Sequence, residues 1–307
     1  MPSSVFIELV VKIVLFAGIG LLMRATGLMT RKTQDVLSNL MVYIVLPFSI
    51  LGGSANKADF SHVINMLWGF VISFGYYVVV ISSGLFVMKL RRRPSPNGKV
   101  NLTMLTFANV GFLGMPVAQA VLGADGLFYA SIFNLSFQVL FYSAGLRLLT
   151  NGDFNMRAFV KNPATIALLL FMVFYFTPLS IPAPLLSAIT QVGSMLTPLS
   201  LIVLGGALYN VKLKSLWSDS RAWIIAAGRL CLIPLALTLI LKLLGFSGAM
   251  PAAYVITFAM PTGTLIVVFS QKYHTDEEFV ARAVALQTVL IFLTIPLFSL
   301  LVTSVFL

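Results

Sequence analysis

Long apolar runs alternate with short polar breaks along the whole of this chain of 307 residues. Ten runs stand out, at about 5–23, 35–52, 63–88, 101–122, 127–149, 162–178, 185–209, 221–243, 250–271 and 279–306. Most of them reach the roughly 20 residues that a helix needs to cross the hydrocarbon core of a bilayer. Runs that are apolar all round, with their backbone groups to satisfy internally, predict helices surrounded by lipid and by one another.

The runs are punctuated alike in the two halves. Leu46-Pro47-Phe48-Ser49-Ile50-Leu51 matches Thr197-Pro198-Leu199-Ser200-Leu201-Ile202, and Leu105-Thr106-Phe107-Ala108 matches Ile256-Thr257-Phe258-Ala259. Pro47 and Pro198, Thr106 and Thr257, and Asp125 and Asp276 all stand 151 positions apart. A single offset at three places indicates a duplicated unit. Residues 1–150 are expected to form the first five-helix repeat and residues 151–307 the second, the two acting as one unit.

Composition supports the membrane reading, with 59% hydrophobic and only 9% charged residues. Soluble domains carry about 25% charged residues. The net charge of +11 would fit a nucleic-acid partner, but its placement excludes one. Sixteen of the twenty basic residues fall in alternate loops: Arg24, Arg31 and Lys32; then Lys89, Arg91, Arg92, Arg93 and Lys99; then Arg147, Arg157 and Lys161; then Lys212, Lys214 and Arg221; then Lys272 and Arg282. The positive-inside rule puts those loops in the cytoplasm and both termini outside. The basic loop from Arg91 to Gly98 reads as a topology signal, and Asn151-Gly152-Asp153 as a turn joining the halves. Five is odd, so the repeats lie upside down relative to each other. No cleavable leader is evident before Val5. The lone Cys231 excludes a disulfide within the chain and a cysteine-based metal cluster.

Two runs are interrupted near mid-span at matched positions. The fourth holds Asn109-Val110-Gly111-Phe112-Leu113-Gly114-Met115-Pro116, and the ninth holds Met260-Pro261-Thr262-Gly263-Thr264. Proline removes a backbone donor and clashes with the preceding turn, and glycine loosens the backbone. Broken backbone at that depth survives only inside protein or along a water-filled cavity. Each break exposes the N–H groups of a new half-helix, with about +0.5 of a charge. Two inverted half-helices would aim two such ends at one point, which suits an anion. Inverted repeats with matched interruptions are the mark of a secondary transporter.

Together with Pro198-Leu199-Ser200-Leu201-Ile202-Val203-Leu204-Gly205, these stretches resemble the auxin efflux carrier family over the whole chain. That family includes plant auxin exporters and bacterial malate or dicarboxylate permeases, and its fold is related to the bile acid–sodium symporters. The resemblance implies an all-α membrane protein of ten transmembrane helices in two inverted five-helix repeats, with broken helices 4 and 9 crossing at the substrate site. It implies substrate contacts from Asn109, Gly111, Gly114, Met115, Pro116, Met260, Pro261, Thr262, Gly263 and Thr264, with Asn109, Pro116 and Pro261 surrounding the anion. The long loop of the plant exporters between helices 5 and 6 is missing, so the chain looks like a bacterial permease of malate or a similar dicarboxylate in the plasma membrane. A sodium- or proton-coupled monocarboxylate or auxin-like carrier, and an anion channel of the same fold, stay open as alternatives.

Of nine acidic residues, only Glu8 lies inside a run, with Lys12 one turn on. His62 and His274 sit at loops. With no carboxylate or histidine at mid-membrane, coupling through a protein carboxylate is disfavoured, and an intramembrane enzyme lacks its nucleophile, acid and base. Arg229, about eight residues into the eighth run, either binds a substrate carboxylate or snorkels to the headgroups. Asn134, Gln138 and Gln287 read as interhelical hydrogen-bonding groups. No cofactor or metal is expected. The expected partners are a small organic anion, the lipid bilayer and, as one open option, a second copy in a homodimer.

Overall fold

The computed structural model describes residues 3–52, 60–90, 97–150, 160–209 and 219–307. Arg91 to Pro96 of the basic loop, the turn at Asn151 to Asp153, and Lys57, Arg157, Lys212 and Lys214 lie outside the described residues. So do the side chains of Glu8 and His62.

The described chain is helical. In order it forms α1 (Ser3–Ala25), α2 (Arg31–Leu40), α3 (Leu46–Gly52), α4 (Phe60–Leu90), α5 (Gly98–Thr106), α6 (Met115–Leu140), α7 (Leu146–Thr150) and α8 (Pro163–Phe176). It continues through α9 (Ala183–Ser194), α10 (Leu196–Leu208), α11 (Ser220–Ala227), α12 (Ile233–Leu243), α13 (Ala249–Phe258), α14 (Thr264–Lys272) and α15 (Glu277–Phe306). Among the described residues, six helical stretches are long and apolar enough to cross a membrane, and α8 and α13 are shorter apolar helices. The longest stretch, Val110–Leu149, is interrupted at Gly123, whose φ of 66° and ψ of −143° suit glycine alone. Large apolar side chains such as Leu22, Val79, Ile224 and Leu293 are exposed on the outside. A lipid bilayer covers such a surface and water does not. The protein is a multi-pass membrane protein.

Proline shapes several helices. Among the described residues, four five-residue turns are π-helical: Met41–Val45, Val110–Gly114, Phe141–Gly145 and Gly228–Leu232. Pro47, Pro116 and Pro234 each follow one of these turns by two residues. A proline ring clashes with the carbonyl four residues back and has no N–H for it. Widening the turn by one residue gives that carbonyl room and keeps the helix running. The π turn before α7 has no proline behind it.

The helices pack as two bodies. One comprises α1, α2, α3, α8, α9 and α10, and the other α4 to α7 with α11 to α15. In the first, α1 and α10 approach through small residues. A Cβ on Gly20 would lie 1.9 Å from the Ile202 carbonyl oxygen, and one on Gly205 would lie 1.9 Å from that of Ala17. In lipid the hydrophobic effect does not drive helices together, so close backbone contact of this kind takes its place. The second body is packed around rings: Tyr77 lies among Phe107, Phe133, Phe137 and Phe258. That cluster backs the helix breaks described next.

Candidate functional site

The two interrupted helices meet at their interruptions. Helix α5 ends at Thr106, and Phe107 is extended, with φ −102° and ψ 102°. Helix α13 ends at Phe258, ahead of Pro261, which cannot donate and disfavours helix at Met260. The two extended pieces run antiparallel, with Ala108 opposite Thr262. The Asn109 N–H donates to the Pro261 carbonyl at 2.7 Å, and the Gly263 N–H donates to the Phe107 carbonyl at 2.9 Å. A Cβ on Gly263 would sit 3.1 Å from the Ala108 carbonyl oxygen, so the close approach favours glycine. Helix-to-extended switches leave orphaned backbone groups, and this short ladder satisfies several of them.

The remaining carbonyls at the end of α5 each find a donor. The Thr262 hydroxyl donates to Met104 O at 3.0 Å, Arg229 Nη1 to Leu105 O at 3.0 Å and the Tyr76 hydroxyl to Thr106 O at 3.3 Å. Arg229 serves the other break as well: Nε donates to Met260 O at 3.1 Å and Nη2 to Phe258 O. A second bond from Nη1 reaches the Tyr76 hydroxyl at 3.1 Å. Four hydrogen bonds to neutral protein oxygens therefore hold the guanidinium, and the residue has no exposed surface. Gln287 on α15 completes the frame, its Oε1 accepting from the Thr262 N–H at 2.8 Å.

The amide side of the crossing is open. A cavity of about 70 Å³ is lined by Asn109, Gly111, Phe112, Gly263, Thr264 and Leu265, which begin the two second half-helices, together with Asn134 and Gln138 from α6. The first N–H groups of a helix have no partner within it, and here two such ends border one space. Gln138 is buried, and its Oε1 has no hydrogen-bond partner. Asn109, Phe112 and Thr264 also line a neighbouring cavity of about 290 Å³ with Gln34, Ser38, Ser200 and Thr288. A third cavity of about 370 Å³ lies toward the Gly123 end of α6, with Ser49, Gln119, Asp125, Ser131 and Thr190 in its wall. All three fall between the two helix bodies.

Residues 5–155 and 151–299 match the family described as membrane transport protein. The chain belongs to this family, the auxin efflux carriers. An uncharacterized transporter of Methanothermobacter thermautotrophicus is 26% identical over 300 residues, covering 95% of this chain and 97% of that protein. An uncharacterized transporter of Methanocaldococcus jannaschii is 23% identical over 308 residues, with the same two coverages.

In this carrier-family protein the structure brings together Asn109, Gly111, Pro261, Thr262, Gly263 and Thr264 at the crossing and its cavities. It places three expected residues elsewhere. Gly114 packs on Thr257, where a Cβ would meet the methyl at 2.9 Å. Met115 is fully buried, and Pro116 is buried in the first turn of α6 with its carbonyl accepting from the Thr197 hydroxyl at 3.2 Å. These three shape the helix that carries the site, and none lines the cavities at the half-helix ends. Met260 turns its carbonyl to Arg229. Arg229 does not snorkel; it sits deep inside, on the carbonyl side of the crossing and away from the cavity walls. Asn134 and Gln138, read as interhelical groups, line the 70 Å³ cavity, and the i, i+4 spacing that puts them on one face was the signal for it. Gln287 does make the interhelical bond expected of it. Among the described residues no three His, Cys, Asp or Glu side chains group to hold a metal.

Proposed function

We propose that the protein carries small organic anions across the plasma membrane by alternating access, with malate or a similar dicarboxylate as substrate. Ten spans in two inverted five-helix repeats, with both termini outside, form the frame of this reading. The observation that carries it is the cavity where two half-helix N-termini, Asn109 and Gln138 converge. Half-helix N-termini favour negative charge, and the Asn109 amide supplies a further donor. The free Oε1 of Gln138 wants a donor in return, and the hydroxyl of a hydroxy acid supplies one. The breadth of the adjoining 290 Å³ cavity leaves room for a second carboxylate. Two cavities at the crossing and a third toward Gly123, all between the two helix bodies, fit a site reached in turn from each side.

A thermal-shift screen of the purified protein with malate, succinate, lactate and acetate tests the reading directly. Malate should raise the unfolding midpoint most, and malate uptake into proteoliposomes should saturate and show counterflow. Stabilisation by none of these acids would sink the substrate class. Single-channel currents in place of counterflow would identify a channel.

A further inference from the structure

Arg229 is the one charged side chain among the described residues that is fully buried, and the anion cavity does not use it. Its partners are the backbone carbonyls of Leu105, Phe258 and Met260 and the Tyr76 hydroxyl, with no carboxylate among them. Leu105 lies in the last turn of α5, Phe258 ends α13 and Met260 follows it. Each C-terminal helix end carries about −0.5 of a charge. Two such ends meeting in the buried interior amount to about one negative charge, and one guanidinium offsets it. In transporters with broken helices, unwound carbonyls and half-helix C-termini of this sort coordinate sodium ions or protons.

We propose that Arg229 is the built-in cation of the crossing: it supplies from the chain the positive charge that two half-helix carbonyl ends would otherwise draw from a bound alkali cation, so the protein folds and works without sodium. The arginine suits this part. Its guanidinium does not lose its proton in proteins, so the charge is permanent. Its planar fork spans acceptors on two separate helix ends, which the point charge of a lysine cannot do. It holds the two breaks in register from the carbonyl side and leaves the amide side to the anion. Arg229 is thus a positioning residue, and its proximity to the crossing rests on geometry that holds whatever the substrate is.

The test compares unfolding midpoints of the purified protein in sodium, potassium and choline chloride at equal ionic strength. The unsubstituted protein should show one midpoint in all three. Arg229→Ala should fall by roughly 10 °C, the size expected when several buried carbonyls lose their donor. Millimolar guanidinium or sodium, but not choline, should return part of that loss in a saturable way. Arg229→Lys should lie between the two proteins. Saturable stabilisation of the unsubstituted protein by sodium over choline would overturn the proposal, and so would an Arg229→Ala protein as stable as its parent. If Arg229→Ala does not fold, the salt comparison and Arg229→Lys decide: a lysine variant no less stable than the parent would also overturn it. Malate binding is measured alongside in choline chloride. Its absence in the unsubstituted protein would count against the anion reading alone, since the thermal arms do not depend on it.

Discussion

The backbone N–H of Asn109 donates to the Pro261 carbonyl at 2.7 Å, so the two helix breaks are tied by main chain. The Asn109 side chain is left at the wall of two cavities. The main chain of Asn109 holds the crossing, which leaves its side-chain amide for the proposed anion.

Asn109→Ala should keep the crossing and lose the ligand. A hydrogen bond to a charged group contributes about 1.5–3 kcal/mol, or roughly a 10- to 100-fold change in affinity. The variant should bind malate that much more weakly, with its unfolding midpoint little changed, as read by titration calorimetry and differential scanning fluorimetry. Native affinity in a folded Asn109→Ala protein would take its side chain out of the site.

Gln287 is the acceptor for the Thr262 N–H and has no exposed surface. Gln287→Leu leaves that buried N–H unpaired, at a cost of about 1–3 kcal/mol. The unfolding midpoint should drop, and anion affinity should fall with it because Thr262 borders Gly263 and Thr264. A Gln287→Leu protein as stable as its parent would show that the Thr262 N–H finds another acceptor.

Gly205 on α10 is pressed against the α1 backbone, whereas Gly18 has nothing within 4 Å of where its Cβ would stand. Gly205→Ala should destabilise by at least the ~1–3 kcal/mol typical of overpacking, and Gly18→Ala should change little. Thermal unfolding of the two variants in detergent separates these outcomes. Equal behaviour would mean that α1 and α10 are free to move apart.

Transport of a divalent anion should respond to voltage. No described residue offers a buried carboxylate to carry a compensating proton, since Arg229 is the fully buried charge. Moving one elementary charge across the membrane is worth about 2.3 kcal/mol per 100 mV. An inside-negative potential should slow malate uptake into proteoliposomes, and an inside-positive one should speed it. Uptake that follows a proton gradient and ignores the potential would defeat this expectation.

Some of this was legible from residue order alone. Apolar run length determines helices in lipid, because only internally satisfied backbone is stable there. The proline and glycine positions determined where the helices fail, because those failures are local and steric. Thus Asn109 and the stretch from Pro261 to Thr264 could be read as the places where the helices break, and they do lie at the crossing and its cavities. The partners of Arg229 could not be read. They are backbone carbonyls, which every residue carries and which leave no mark in a sequence. Nor did the repeat separate Gly111, which lines a cavity, from Gly114, which packs on Thr257. The two lie three residues apart, and rotation of the widened turn before Pro116 decides which of them faces the cavity. The sequence by itself determined which segments break. Only the tertiary structure decided that the breaks pair antiparallel, with a fixed cation against their carbonyl ends and open space at their amide ends, because pairing between distant backbone groups exists only once the chain has packed.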